Sequence, residues 1–297
     1  MYKRQGFKPE FVLASFEPAI GALSAVATTF PLPHEFQAVL VRVRVGDDSY
    51  YFNDTDQYSR LGAVSHEGKL AINLADQSYG TVAPARGDEN RRATTYRIAL
   101  DPSGKVRMEI RREYSGAGYG KMNKFFSELP PEERRRYYQE AVSKVAQGAR
   151  PVGDLRTDFG TYPGLEQFTV EIDHYAVVDG RYMYLDLPYS LGLYPTYTDR
   201  RTLPLFIRDD RLETIRAEVG LPAGFTHLVI APRSQTLTAP DGAGSVRVSA
   251  GVSGGAWSVT QELSALPAVV APQDYGALLS IESTLENKSS RLLLLEK

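Results

Sequence analysis

Residues 36–56, FQAVLVRVRVGDDSYYFNDTD, carry the clearest strand pattern in the chain. Valine occupies every second position from 39 to 45, with leucine or arginine between, which is the alternation of a strand that is buried on one face. The Gly-Asp-Asp sequence at 46–48 favours a tight turn, and the aromatic residues that follow favour a second strand. We therefore predict an antiparallel hairpin in which residues 36–45 pair with residues 49–53.

Length and composition restrict the class of protein. The chain has 297 residues, of which 42% are hydrophobic and 24% charged, as expected for a globular chain of two or three domains. The formal net charge of −2 gives no electrostatic footprint for nucleic acid. No apolar run approaches the ~20 residues that cross a bilayer, so we predict no transmembrane segment. The sequence contains no cysteine, which removes disulfides, zinc–thiolate sites and thiol nucleophiles from it.

Residues 131–147 are predicted to form an amphipathic helix. The segment begins with two prolines and two glutamates, which suit the first turn of a helix. Residues at helical spacing on the predicted inner face are Tyr138, Ala141, Val142 and Val145. Arg134, Arg135 and Arg136 should be solvated. A shorter helix is predicted for residues 212–219.

Strand and turn signals dominate the rest of the chain and predict a mainly β (α+β) fold. Asp179-Gly180 separates two strand-like runs, 168–178 and 182–187, and is a strong hairpin signal. Segments rich in proline, glycine and polar residues favour domain boundaries near residues 84 and 200. The predicted units are residues 1–80, a β-rich middle module at 81–200 with the helix 131–147, and a C-terminal β-sandwich-like module at 201–297.

Two glycine-rich segments have partial similarity to functional motifs. Residues 251–255, GVSGG, fit the G-x-S-x-G pattern of a nucleophile elbow, but strand signals flank the segment on both sides and no histidine follows His227. Residues 116–121, GAGYGK, lack the glycine spacing of a phosphate-binding loop. We interpret the first segment as a hairpin loop and the second as a turn between a strand and a helix.

Neither a metal site nor a cofactor is predicted. The histidines, none of which pairs with another at metal-ligand spacing, are His34, His66, His174 and His227. The aspartates that a hairpin end would have to gather for a calcium site are Asp47, Asp48, Asp54 and Asp56. No glycine-spaced loop with a bidentate acid supports such a site, so a solvated turn is the favoured interpretation.

Tyrosines cluster between residues 175 and 197. Tyr182 and Tyr184 share one face of a predicted strand and, with Tyr175, form a candidate platform on which a sugar or a partner can stack. Aromatic packing that merely favours a strand is the other interpretation. A carbohydrate- or protein-binding β-sandwich protein that uses residues 175–197 is therefore one functional alternative.

The opening segment resembles the paired strands of the bacterial transglutaminase-like (papain-like fold) superfamily. In that family a Phe-Asn-His triplet begins the first strand, and an aromatic pair, an apolar residue and Asp-x-Thr-Asp end the second. The histidine and aspartate complete a Cys-His-Asp triad, in which histidine activates the thiol and aspartate orients the imidazole. The resemblance implies that residues 1–80 are the C-terminal part of such a core. Segments within 201–297 resemble the β-rich module that follows the core in large multidomain members.

The triad is not retained in this alignment. Phe36 aligns with the family's phenylalanine, whereas Ala38 aligns with the catalytic histidine and Asn53 with the aspartate. His34 lies four residues before Ala38, roughly 13 Å away along an extended strand, which makes it a poor replacement. The resemblance places the nucleophilic cysteine before Met1.

The resemblance therefore implies a non-catalytic structural or binding module. Its partner is expected to be a protein, or the N-terminal half of a parent chain, bound at an exposed face of residues 1–80. Ala38 and Asn53 should lie side by side and face a shallow depression there. The alternative is half of a transglutaminase-like or cysteine-protease-like enzyme, with the nucleophile upstream and an unrecognised histidine as base. The family also implies a location in the cell envelope or periplasm.

Overall fold

Four β-sheets and four α-helices form the described part of the computed structural model, which comprises residues 8–30, 33–83, 89–189, 192, 194, 198–253 and 255–297. The strands are β1 Pro9–Pro18, β2 Ala38–Val45, β3 Asp48–Phe52, β4 Lys69–Asn73, β5 Tyr79–Thr81, β6 Arg91–Leu100, β7 Val106–Tyr114, β8 Arg150–Asp158, β9 Gly164–Ile172, β10 Val177–Asp179, β11 Tyr182–Asp186, β12 Leu205–Ile207, β13 Arg211–Gly220, β14 His227–Ile230, β15 Gln235–Thr238, β16 Gly244–Ser253, β17 Ala256–Ala265, β18 Ala268–Val270 and β19 Leu292–Glu296. The helices are α1 Gly21–Thr29, α2 Gly116–Glu128, α3 Pro131–Ser143 and α4 Tyr275–Glu286. The predicted mainly β fold is confirmed.

The first sheet contains the predicted hairpin. Its strand order is β3-β2-β1-β4-β5, and every neighbouring pair is antiparallel. Val41 lies opposite Phe52 and Val45 opposite Asp48, so the hairpin expected from the valine alternation is confirmed. Gly46 adopts a φ of 61° in the turn, a conformation that glycine reaches without the steric cost of a side chain. We call this sheet the N-terminal sheet.

An eight-stranded sheet forms the centre of the remaining chain, with the order β15-β16-β17-β13-β6-β7-β9-β8. Its neighbours are antiparallel except for β6 and β13, which run parallel from the Arg91–Leu212 pair to the Ala99–Gly220 pair. β6 belongs to the segment predicted as the middle module and β13 to the segment predicted as the C-terminal module. The predicted division near residue 200 therefore does not coincide with a division between sheets.

The main core lies between the eight-stranded sheet and a second layer. That layer consists of a four-stranded sheet with the order β10-β11-β19-β14 and helix α4. Met183 and Leu185 of β11 and Leu293 and Leu295 of β19 are fully buried against the larger sheet. This packing gives the sandwich-like arrangement predicted for the later part of the chain. A separate, smaller core lies under the N-terminal sheet and includes Val12, Leu40, Tyr51 and Val64.

The short helix predicted at residues 212–219 is wrong, because this segment is strand β13. Its buried residues alternate and include Glu213, Ile215, Ala217 and Val219. A strand with one buried face has this period of two. The glutamate on the inner face obscures the apolar alternation in the sequence, which leaves a pattern that also suits a helix.

The helical predictions are otherwise close to the structure. α3 spans Pro131–Ser143, four residues shorter than predicted, and buries Ala141 and Val142. Arg135 and Arg136 are exposed as predicted, whereas Arg134 is half-buried and donates to Thr157. The glycine-rich segment 116–121 is not a turn, because it forms the first part of α2. Across the described ranges, the helices are all too short or too polar to span a membrane.

Candidate functional site

Ala38 begins β2 on the inner face of the N-terminal sheet. It lies opposite Ala14 of β1 and packs against the smaller core. Side chains alternate between faces along a strand, so Ala38 shares its face with the fully buried Leu40. A methyl group in this position fills space in the core but cannot accept a proton.

Asn53, the other altered triad position, directly follows β3 and closes a polar turn. Its Oδ1 accepts hydrogen bonds from the backbone N–H of Thr55 at 3.2 Å and of Asp56 at 2.8 Å. Its Nδ2 donates to Asp56 Oδ2 at 2.6 Å. Both ends of the amide are therefore engaged in the local turn, an arrangement common for asparagine.

Ala38 and Asn53 belong to the same face of the sheet. Continuing the β2–β3 register by one residue beyond the Val41–Phe52 pair sets Asn53 opposite Leu40, the neighbour of Ala38 on that face. This face is the inner one, which covers the smaller core. The exposed apolar surface lies on the opposite face, so the shallow exposed depression that the sequence analysis expects beside Ala38 is not there.

A histidine joins this polar turn through Asp56 and Ser65. Asp56 Oδ2 accepts hydrogen bonds from the backbone N–H of Ser65 at 3.1 Å and from Ser65 Oγ at 3.2 Å. Ser65 Oγ also lies 3.3 Å from His66 Nδ1. His66 is only 9% exposed and its ring packs against Phe16. Burial lowers the pKa of His66, with Asp56 opposing this shift and Lys69 reinforcing it.

The order of groups in this chain differs from that of a hydrolytic triad. The Ser65 hydroxyl lies between the carboxylate and the imidazole, whereas a triad sets the imidazole between the acid and the nucleophile. Ser65 Oγ is within hydrogen-bond distance of both groups, and the direction of its bond with His66 Nδ1 depends on the imidazole tautomer. When the hydroxyl donates to Asp56, the imidazole cannot take its proton. In that state the network orients a loop and does not activate Ser65 as a nucleophile.

The other sequence-predicted polar groups do not gather. Asp47 and Asp48 lie at the turn that begins β3, whereas Asp54 and Asp56 follow its other end, so the strand separates the two pairs. His34, His174 and His227 are exposed. In the part of the chain that the structure describes, no three histidine, aspartate or glutamate side chains form a candidate metal site.

The predicted tyrosine platform is only partly present. Tyr175 packs against the main core and its hydroxyl donates to the carbonyl of Asp186 at 2.8 Å. Tyr182 and Tyr184 lie on the outer face of β11, alternating with buried Met183. Tyr189 and Tyr194, in the same segment, are buried, and Tyr197 lies outside the described residues. Two of the three rings therefore lie on the outer face, and because Arg181 stacks over Tyr182, Tyr184 is the more accessible of the two.

The glycine-rich segment 251–255 connects two strands. β16 ends at Ser253 and β17 begins at Ala256, in a directly paired antiparallel hairpin. Gly254 lies outside the described residues. The strand-to-helix turn of a nucleophile elbow is therefore absent from this pairing, as the sequence analysis predicts.

The outer face of the N-terminal sheet, defined here by seven side chains, is apolar, with three side chains exposed and four half-buried. These side chains are Phe11, Leu13, Val39, Val41, Phe52, Ile72 and Tyr79. They form two rows across the strands, Phe52–Val41–Phe11 and Val39–Leu13–Ile72–Tyr79. Phe11 is 58% exposed and Val39 is 56% exposed. Antiparallel sheets with one solvated face usually carry polar residues there, so this face has the composition of one that another layer covers.

Sequence reasoning missed both His66 and the outer face as a unit. His66 lies in a loop with no periodic pattern, and only the fold brings Asp56 and Ser65 beside it. The outer face had a signal, because valine on one face of β2 alternates with the buried Leu40 on the other. Apolar residues on both faces of a strand indicate cover on both sides.

Comparisons with known proteins identify a fold but no family. No protein-family model and no curated protein matches the chain. Among solved structures, the chain is similar to the crystal structure of a "putative protease" from Parabacteroides distasonis ATCC 8503, with a TM-score of 0.50 and 11% sequence identity. The alignment covers 99% of this chain and 41% of that chain. At this identity the similarity shows a shared fold alone, over less than half of the solved protein.

Proposed function

We propose that this chain is a non-catalytic, transglutaminase-like module that binds polypeptide through the outer face of its N-terminal sheet. The observation that carries the proposal is the exposure of Phe11 and Val39, each of which ends one of the two apolar rows. Contiguous exposed apolar patches on folded proteins mark interaction sites. The occupant is a polypeptide with an apolar surface, because the two rows contain no charged side chain.

A second layer of protein is the natural cover for such a sheet, since a sheet face buries its apolar side chains against helices or another sheet. The source of this layer is either a partner protein or further chain of a longer parent protein.

The non-catalytic part of the proposal rests on the altered triad. The sequence has no cysteine, Ala38 has no basic group, and both ends of the Asn53 amide are engaged in a turn. Removing triad members costs several orders of magnitude in rate. The purified chain should therefore show neither amine incorporation into a glutamine substrate nor casein hydrolysis above a no-protein control. This part would be contradicted by an activity toward either substrate, if that activity co-purifies with the chain and increases in proportion to the chain's concentration.

Site-specific photo-crosslinking tests the binding part. A photoreactive benzoylphenylalanine replaces Val39 in one variant and Val252 in the other, and each variant is irradiated in cells that produce it. Val252 is the matched control, because it is an exposed valine on a strand of a different sheet, with 59% exposure against 56% for Val39. We expect a discrete polypeptide adduct from position 39 that is absent from position 252.

The mass of the adduct distinguishes the possible occupants. An adduct with a different polypeptide supports a partner protein, and an intramolecular crosslink within a longer product supports a parent chain. An adduct at twice the chain's own mass would instead identify a second copy and overturn the proposed occupant. Equal adduct patterns from positions 39 and 252 would contradict a role for the outer face.

A further inference from the structure

A cavity of about 500 Å³ lies beside the N-terminal sheet, between helix α1 and the two-stranded sheet that β12 and β18 form. Besides residues of α1, its lining contains residues of β1, β4, β12 and β18, namely Ser15, Glu17, Pro18, Leu70, Phe206 and Val269. The volume is within the range of small-ligand sites. The cavity includes none of the seven side chains that define the outer face, and it is separate from the polar turn at Asn53.

Helix α1 presents apolar side chains to this cavity and to solvent. The helix contains no charged residue. Leu23, Val26 and Phe30, the last directly after the helix, have the spacing of neighbours on one helix side. All three line the cavity, and Val26 is 63% and Phe30 is 72% exposed. The exposed side of a surface helix is normally polar, so this side has the composition of a surface that an apolar molecule covers.

The charges of the lining restrict the kind of apolar molecule that fits. The described lining contains two carboxylates, Glu17 and Glu35, and no lysine or arginine. Arg208 balances the charge of Glu17, because its Nη2 lies 2.9 Å from Glu17 Oε1. The imidazole of His34 lies 3.7 Å from Glu35 and is charged only when protonated. Among the described residues, Glu35 therefore has no permanent cation beside it.

An apolar cavity with an unbalanced carboxylate favours a cationic ligand. The carboxylate attracts an ammonium group and repels a carboxylate or phosphate group, and the apolar walls strengthen both effects because they exclude part of the solvent. The side chain of Glu35 is 34% exposed, so a ligand in the cavity can reach it. Sites for small molecules commonly have this lining, which is mostly apolar with few polar groups that fix the orientation of the ligand.

We propose that this cavity binds an amphiphilic amine, whose apolar chain lies against Leu23, Val26 and Phe30 and whose ammonium group pairs with the Glu35 carboxylate. Phe206 of β12 adds an aromatic surface for the same chain. This site is independent of the outer face, and its test does not depend on the proposed function.

Calorimetric titration of the full chain with octylammonium, 1-octanol and octanoate tests the site. The three probes share one alkyl chain and differ in the charge of the head group. Ala27→Phe fills the cavity from α1, and its control Ala25→Phe adds the same side chain at an exposed position of α1 outside the lining. Glu35→Gln removes the charge at nearly equal volume, and its control Glu286→Gln removes an exposed carboxylate at the end of α4.

We expect the wild type to bind octylammonium with a dissociation constant of about 1 mM or below, and at least about fivefold more tightly than octanol or octanoate. Glu35→Gln should lose the preference for octylammonium over octanol, while its affinity for octanol stays within about twofold of the wild type. Ala27→Phe should weaken octylammonium binding at least about tenfold, because the ring occupies the space of the alkyl chain. Both controls should bind like the wild type.

The two substitutions lie on separate elements, so either one tests the site if the other variant fails to fold, which circular dichroism establishes. The proposal is overturned if octylammonium does not bind the wild type at about 1 mM, or if octanol or octanoate binds as tightly as octylammonium. It is also overturned if Glu35→Gln retains the preference for the ammonium group, or if Ala27→Phe binds like the wild type.

Discussion

Single buried polar residues organise much of the main core, and Glu166 is the clearest case. It is fully buried on β9, and its Oε1 accepts hydrogen bonds from Arg112 Nη1 at 2.8 Å and the Tyr137 hydroxyl at 2.9 Å. Its Oε2 accepts from the Tyr114 hydroxyl at 2.7 Å. Burial, together with the neighbouring carboxylate, raises the pKa of Tyr114 and Tyr137. Both phenols therefore remain neutral donors, and the carboxylate connects α3 to the central sheet.

Replacing Glu166 should strongly destabilise the protein. Glu166→Ala leaves buried Arg112 and two tyrosine hydroxyls without their acceptor, so we expect a loss of about 3–5 kcal/mol in the free energy of unfolding. Glu171→Ala on the same strand is the control. Glu171 makes partly exposed ion pairs with Lys105 and Arg107, and its loss should destabilise the protein far less than the loss of Glu166. Chemical denaturation measures both, and equal losses would contradict the role given to Glu166.

His66 should make the stability of the protein depend on pH in a defined direction. Burial lowers its pKa in the folded protein below the ordinary value of about 6.5. As pH falls through about 6.5, the unfolded chain therefore binds a proton that the folded protein does not, and stability decreases until pH passes below the folded pKa. His66→Gln removes this contribution.

Chemical denaturation of the wild type and of His66→Gln at about pH 7.5 and about pH 5 measures how the free energy of unfolding depends on pH. The free energy of unfolding should fall less in His66→Gln than in the wild type over this interval, and the exposed His227→Gln variant should behave like the wild type. An equal or larger fall in His66→Gln would show that the imidazole is not held in its neutral form.

At the scale of elements, local patterns were predictable and partners distant in sequence were not. The β2–β3 hairpin follows from valine alternation and a turn within 20 or so residues, and it forms with Asp48 already paired to Val45, one residue earlier than the predicted second strand. β13 was misassigned because Glu213 occupies its buried face. Two arginines explain that burial, Arg92 on the neighbouring strand β6 and Arg211 on β13 itself, which donates to Glu213 at 2.6 Å. Arg92 is 121 positions away in sequence, so no local pattern reveals the pair.

The outer face of the N-terminal sheet should bind a hydrophobic dye without contributing to stability. Val39→Lys and Val252→Lys both alter exposed valines, so each should change the free energy of unfolding by no more than about 0.5 kcal/mol. Only Val39→Lys interrupts the apolar rows, so it alone should reduce anilinonaphthalene sulfonate fluorescence, to roughly half of the wild-type signal. Fluorescence titration of the three native proteins measures this, and an equal reduction in the two variants would place the dye elsewhere.

At the scale of the whole molecule, the parallel pair β6–β13 joins the two segments that the sequence suggests are separate modules. Removing β13 leaves β6 with an open edge and exposes one side of the main core, which contains residues from 98 to 295. A fragment of residues 89–200 should therefore show no cooperative unfolding transition. A fragment of residues 89–297, which retains the whole core, is the control and should unfold cooperatively. Circular dichroism during thermal denaturation measures both, and cooperative unfolding of residues 89–200 would support an independent middle module.

The candidate site was predictable where it depended on one hairpin. The family resemblance implies that Ala38 and Asn53 lie on one face, and the β2–β3 register of the structure sets both on the inner face. Which face of the sheet is exposed is determined by Val64 and Val82, which pack against the inner face. Both lie in segments without a periodic hydrophobic pattern, so the sequence does not indicate this packing.

The affinity of the polypeptide captured at position 39 is the measurement that tests polypeptide binding by the outer face most directly. Its dissociation constant is determined for the wild type, Val39→Lys and Val252→Lys by isothermal titration calorimetry. A lysine within an apolar interface leaves a buried charge unpaired, so Val39→Lys should weaken binding at least about tenfold, equivalent to about 1.4 kcal/mol. Val252→Lys should remain within about twofold of the wild type. Equal dissociation constants for the wild type and Val39→Lys would contradict the account.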